Sequence, residues 1–137
     1  MNEKEITILI VDDSEAIRIL VNAYLREGGY RVLEACNGKE GLEVCKQESI
    51  DLALLDIAMP EMDGIQATKK IRKKENNKNQ HTPIIAVTAS DPYHNRHIFF
   101  DAGIDDYVSK PIDPVLLMEK ISRHSKIKLS TICKNFL

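Results

Sequence analysis

No stretch of the 137 residues approaches the roughly 20 consecutive apolar positions that a bilayer-spanning helix needs, so a membrane role is not expected. Charge of one sign is not in excess either. Nineteen Lys and Arg stand against 21 Asp and Glu, a formal net charge of −2, and no global field would gather nucleic acid. Cysteine is sparse: Cys36, Cys45 and Cys133 are an odd number with no CxxC or zinc spacing, in a chain too long to need disulfide staples. Free thiols in a reducing cytoplasm are the expectation. His94 and His97 are three apart and could share a helix face, but no third ligand accompanies them. The N-terminus MNEKEITILIVDD lacks the basic flank and small-residue cleavage site of a secretory signal. Repeats and low-complexity tracts are absent. What is present is globular: 43% hydrophobic and 29% charged residues, enough chain for one domain with a layered core.

The pattern of apolar runs predicts the elements. Ile6–Val11 is a β-branched run that stops on Asp12-Asp13, a buried strand with acids at its end. Ser14 is placed to cap a helix, with Glu15 in its first turn and Ile17, Leu20, Val21, Tyr24 and Leu25 on its inner face, ended by Gly28-Gly29. Tyr30–Ala35 reads as a strand, Asn37-Gly38 as a turn, and Lys39–Gln47 as a helix with Leu42 and Cys45 inward. Leu52–Leu55 is another buried strand, ending on Asp56 and followed by a loop with Pro60, Asp63 and Gly64. A helix over Ile65–Lys74 would turn Ile65, Thr68 and Ile71 inward and a basic run, Lys69 to Lys74, largely outward. Glu75–Gln80 has no apolar residue and reads as an exposed connection. Ile84–Val87 is a strand ending on Thr88-Ala89-Ser90, and a helix then runs from about Asp91-Pro92 to Ala102-Gly103. Asp106–Val108 is a short strand closed by Ser109-Lys110-Pro111. Asp113-Pro114 start the last helix, with Leu117 and Ile121 on one face. For residues 126–137 the sequence leaves three readings open: an extension of that helix, packing on the surface, or a free tail.

Five strands alternating with five helices imply a parallel sheet with helices on both faces. In such a sheet all strand C-termini share one edge, where ligands bind. Asp12-Asp13, Asp56 and Thr88 end three strands, and Lys110 follows a fourth. Taken singly, Asp13 could help cap a helix, Asp56 could be a turn acid, Thr88 an ordinary strand residue and Lys110 solvated surface. Together they describe a site. Three close carboxylates repel one another, and a divalent cation removes the conflict; ligation by oxygen alone points to Mg²⁺. A carboxylate, a metal, a lysine and a hydroxyl are the equipment for in-line phosphoryl transfer, with an aspartyl phosphate on Asp56 as product.

These residues resemble the receiver domain of two-component response regulators. The likeness rests on Asp12-Asp13, LLDIAMPEMDG around Asp56, PIIAVTAS ending in Thr88-Ala89, and AGIDDYVSKP with Tyr107 and Lys110-Pro111. The intervals agree too: 32 positions from Asp56 to Thr88 and 22 from Thr88 to Lys110. It covers about residues 5–124, and its wording is most similar to receivers fused to hybrid histidine kinases. The resemblance implies a flavodoxin-like α/β fold, a five-stranded parallel sheet of order 2-1-3-4-5 between helical layers. It implies a receiver domain over residues 1–125 followed by a tail.

Carried over by position, Asp56 is similar to the phosphoacceptor and Asp13 and Asp56 to direct metal ligands. Asp12 resembles an acid acting largely through water, and the Ala58 carbonyl a further ligand. Thr88 resembles a switch hydroxyl, Tyr107 an aromatic switch, Lys110 a phosphate-pairing lysine, and Ala58 and Ala89 residues lining the phosphoryl group. A cis bond before Pro111 is also implied. For Tyr107, a ring with its hydroxyl in water is the competing reading. Ala58 is smaller and less polar than the residue many relatives carry there, which leaves phosphoryl lifetime open.

The implied function is a stand-alone cytoplasmic receiver, not an enzyme in the turnover sense. Mg²⁺ is its expected cofactor, with Mn²⁺ able to substitute. Its donor would be a histidine kinase or histidine phosphotransfer protein. Its output would be a protein target bound through the fourth helix, fifth strand and fifth helix. No nucleic-acid or membrane partner is expected, and the state is monomer or weak homodimer. Two alternatives stand beside it. A constitutive pseudo-receiver would lack one of Asp12, Asp13, Thr88 or Lys110. An aspartate-nucleophile phosphatase of the haloacid-dehalogenase type would carry an acid where Ala58 stands.

Overall fold

The computed structural model describes residues 5–73, 78–89 and 92–125, with 92–94 described by backbone alone. Five strands are observed: β1 (Thr7–Val11), β2 (Arg31–Ala35), β3 (Leu52–Asp56), β4 (Ile84–Thr88) and β5 (Asp106–Ser109). Between and after them run α1 (Glu15–Glu27), α2 (Gly38–Gln47), α3 (Gly64–Ile71), α4 (Pro92–Ala102) and α5 (Pro114–His124). All strand pairs are parallel, in the order β2-β1-β3-β4-β5. The α/β architecture expected from the sequence pattern and the strand order that the resemblance implies are those found.

The two-residue period of the strands explains the three layers. On β1, Leu9 and Val11 join Ala53, Leu55, Ile84 and Ala86 in one core, closed by Cys45 of α2, Ile71 of α3 and Phe99 of α4. Ile8 and Ile10 face the other way with Leu52, Leu54, Ile85 and Val87, under Val21 and Leu25 of α1 and Leu117 and Ile121 of α5. Apolar side chains on both faces are why β1, β3 and β4 read as uninterrupted apolar runs.

The helix starts follow their capping chemistry. Ser14 accepts from Ile17 N–H, Asp63 and Gln66 form a capping box, and Asp113 caps α5 with Pro114 in its first turn. Asn37, read as part of a turn, is the N-cap of α2 and accepts from Glu40 N–H. Among the described residues no helix is long and apolar enough to cross a membrane.

Four expectations are corrected. Leu20 is 41% exposed, because the buried stripe of α1 narrows to Val21 and Leu25 with Ile17 and Tyr24 at its margin. The third helix ends at Ile71, three residues short of Lys74. Arg72 is not a solvated member of a basic face. Its guanidinium donates to the carbonyls of Gly103, Gln80 and Thr82 and pairs with Asp105 at 2.9 Å. In the supposedly exposed connection, Asn79 is 1% exposed. It donates to the Cys45 and Glu48 carbonyls at the end of α2 and accepts from Ile50 N–H, satisfying main-chain groups that the helix end leaves open. Ser90, Asp91, Lys74, Cys133 and the tail at 126–137 lie outside the described residues. Cys36 and Cys45 are free thiols.

Candidate functional site

The register places the acids before any side chain is considered. Val11 pairs with Leu55, so Asp12 and Asp56 come side by side as their strands run out. Asp56 pairs with Val87, which sets Thr88 one step beyond it on β4. Thr88 in turn pairs with Ser109, and Lys110 N–H donates to the Thr88 carbonyl at 2.8 Å. Four segments far apart in sequence thus meet at one sheet edge.

Asp12, Asp56 and Thr88 are each no more than 3% exposed, whereas Asp13 opens to solvent. Oxygens of Asp12, Asp13 and Asp56 lie within 4.8 Å of one another. The Lys110 ammonium stands 3.5 Å from Asp12 and 3.4 Å from Asp56, bridging the two buried acids. Asp12 Oδ1 also accepts from Ser14 N–H at 2.9 Å, and Asp56 Oδ1 from Ala58 N–H at 3.2 Å.

Burial, then the charge of Asp12, push the Asp56 carboxyl up to about 6; Lys110 and the Ala58 N–H pull against them. Two buried acids beside a third are an unresolved excess of negative charge that one lysine only partly offsets. Oxygen donors without His or Cys suit a small hard cation such as Mg²⁺. The residues present fit that ion.

A model of the family described as "Response regulator receiver domain" matches residues 8–122. The chain belongs to this family. The receiver is 42% identical to the transcriptional regulatory protein SrrA of Staphylococcus aureus over 107 residues, 78% of this chain and 42% of SrrA. It therefore spans well under half the length of that relative.

Among solved structures, it is similar to the receiver domain of the sensor histidine kinase PA1611 of Pseudomonas aeruginosa, which has a magnesium ion coordinated in its active-site cleft. That likeness has TM-score 0.79 and 30% identity, covering 89% of this chain and 98% of that one. It is also similar to the structure of Ypd1, a histidine phosphotransfer protein of Saccharomyces cerevisiae, with the receiver domain of Ssk1. There the TM-score is 0.83 and the identity 26%, over 93% of this chain and 94% of that one. The receiver is a phosphoacceptor signalling module, and its acidic triad is suited to Mg²⁺-dependent phosphorylation of an aspartate.

The structure brings together Asp12, Asp13, Asp56 and Lys110, with Thr88 at the adjoining strand end. Ala58 and Ala89 are exposed on the loops that follow β3 and β4. Tyr107 lies two positions before the end of β5, and its ring packs against Phe99 (ring centroids 6.4 Å apart) and under the Lys120 ammonium, 4.9 Å above it. The Lys110–Pro111 peptide is cis, as the resemblance implied.

In the sequence Gly64 stands out only as a chain breaker. Its larger part is close approach: a Cβ there would stand 2.5 Å from the Asp56 carbonyl oxygen and 3.0 Å from Ile57 Cα. Both are main-chain atoms that cannot swing away. Gly64→Ala is expected to cost about 1–3 kcal/mol in urea unfolding by forcing α3 off the end of β3. It should also slow phosphoryl uptake; a variant as stable as the parent would show that the loop yields freely.

Proposed function

We propose that this receiver takes a phosphoryl group onto Asp56 from the phosphohistidine of a histidine kinase or histidine phosphotransfer protein, in a cytoplasmic phosphorelay. The observation that carries this reading is the buried pair Asp12 and Asp56 bridged by Lys110, with Asp13 at the open side. A P–O bond forms on an Asp56 oxygen as the donor's P–N bond breaks, and that bond's electron pair stays with the imidazole. Lys110 faces the charge that builds on the transferred group, and Thr88 offers its hydroxyl from the neighbouring strand. Asp12, Asp13, Asp56 and the Ala58 carbonyl would hold Mg²⁺, or Mn²⁺ in its place; such an ion, when bound, neutralises carboxylate and phosphoryl oxygens together. The Ala58 and Ala89 segments would line the phosphoryl group. The Ssk1 receiver's crystallisation with a phosphotransfer protein supports the class of donor.

The added group brings about −1.5 to −2 charges. It would bias Thr88 and Tyr107 and so a protein-binding surface on α4, β5 and α5. The setting of Tyr107 between Phe99 of α4 and Lys120 of α5 supports that route. Phe100 of α4, 60% exposed, is available to a protein target. The end of α5 at His124 supports a domain boundary near residue 125. A monomer or weak homodimer is the working state we propose.

Incubation with acetyl phosphate and Mg²⁺ tests the proposal by intact mass. One labile phosphoryl adduct per chain is expected, suppressed by a chelator. No adduct, or one indifferent to the chelator, would overturn it.

A further inference from the structure

Asp12 is held at each of its polar atoms by the protein. Its N–H donates to the Ala35 carbonyl at 3.2 Å, Oδ1 accepts from Ser14 N–H, and Oδ2 faces Lys110. The fourth, its carbonyl oxygen, accepts from Arg18 Nη1 at 2.6 Å. That carbonyl belongs to the peptide joining Asp12 to Asp13. Rotation of this peptide plane would carry the exposed Asp13 carboxylate toward or away from the other two acids.

Arg18 is itself aimed. Its Nε stands 3.5 Å from Glu34 Oε1 on β2, and Glu34 Oε2 accepts from Asn22 Nδ2 at 2.6 Å. Arg26 Nε donates to Asn22 Oδ1 at 2.6 Å. Residues 18, 22 and 26 are four apart and so share one flank of α1, which presents a polar stripe toward the edge strand. The stripe ends on the peptide between two of the site's acids.

We propose that Arg18, oriented by Glu34, is a positioning residue that sets the Asp13 carboxylate for the divalent cation. This rests on reading the acidic triad as the cation site. Arg18 touches neither acid's carboxylate, and Glu34 offsets its charge, so its effect runs through geometry and not through the field at the ion. A side chain that orients a ligand in this way acts as outer-shell partners of metal ligands do, whose loss weakens metal affinity roughly 10- to 100-fold.

Isothermal titration of the full chain with Mg²⁺ alone, without phosphodonor, reads the effect. Arg18→Met is expected to weaken Mg²⁺ binding about tenfold, at the lower end of that range. Arg18→Lys, which keeps a donor within reach of the Asp12 carbonyl, should recover most of the loss. Glu34→Gln, on the exposed rim of the edge strand, should weaken binding a few-fold and carries the test if Arg18→Met fails to fold. A purely structural role would lower the thermal midpoint of Arg18→Met and leave its Mg²⁺ affinity unchanged, which would overturn the proposal. Equal losses in Arg18→Met and Arg18→Lys would overturn it too. Absence of Mg²⁺ binding in the parent protein would instead sink the site reading on which the inference rests.

Discussion

Asp56→Asn is expected to abolish phosphoryl uptake while making the metal-free protein more stable at alkaline pH. The Asp56 carboxyl sits at about 6 in the fold against an ordinary 3.8, because burial and the neighbouring Asp12 both oppose its charge. A raised pKa means that the native state holds the proton more tightly than the unfolded chain does. The contribution to stability is therefore complete below about pH 4 and is lost as pH rises through 6. Above pH 7 the ionised group costs the fold about 3 kcal/mol relative to a neutral one. Asn keeps the shape and removes the charge, and Lys110 retains Asp12 as its partner at 3.5 Å. In chelator at pH 8 the variant should unfold at higher urea than the parent, with the gap closing near pH 4. Mg²⁺ should then stabilise the parent more than the variant, because a ligand that binds only the native state adds stability by mass action. Equal stability at pH 8 would contradict the electrostatic account of the pocket.

The second large effect is expected far from the acids. Arg72→Met should cost about 3–5 kcal/mol, a substantial part of a domain's total stability. The guanidinium closes three main-chain carbonyls from two segments, at distances from 2.6 to 3.0 Å, and its pair Asp105 also accepts from Ile84 N–H at the start of β4. Burial presses the Arg72 charge toward neutrality and Asp105 holds it on, so the cation is retained by its partners. Lys at this position could reach one or two of the acceptors and not the planar set, so Arg72→Lys should recover less than half of the loss. Urea unfolding followed by circular dichroism reads both variants. A loss under 1 kcal/mol would mean that Arg72 contributes only as a surface ion pair.

Strand-level features were legible because burial on both faces leaves an unmistakable mark. Leu52–Leu55 and Ile84–Val87 have no room for alternation, and a polar residue at the end of each reports where the apolar layer stops. The acids were legible for the same reason, since parallel strands send all their C-termini to one edge. Side chains that work by capping main-chain groups were not legible. Asn79 and Arg72 look like surface in a stretch of polar letters, yet each closes carbonyls supplied by distant segments, and only the folded path says where those carbonyls are. Arg18 belongs with them, although its spacing with Asn22 and Arg26 was a visible sign that one flank of α1 is polar and faces a neighbour. Gly64 shows in the sequence only as a breaker, because the letters do not tell that the Asp56 main chain passes within contact of it.

The account stands or falls on where the phosphoryl group goes. An acyl phosphate is reduced by borohydride to an alcohol, so an aspartyl phosphate becomes homoserine. After treatment with acetyl phosphate and Mg²⁺, then borohydride, peptide mass mapping should find homoserine at position 56 and aspartate at 12 and 13. Homoserine at another position, or a phosphoryl group resistant to borohydride on a serine or threonine, would contradict the central claim.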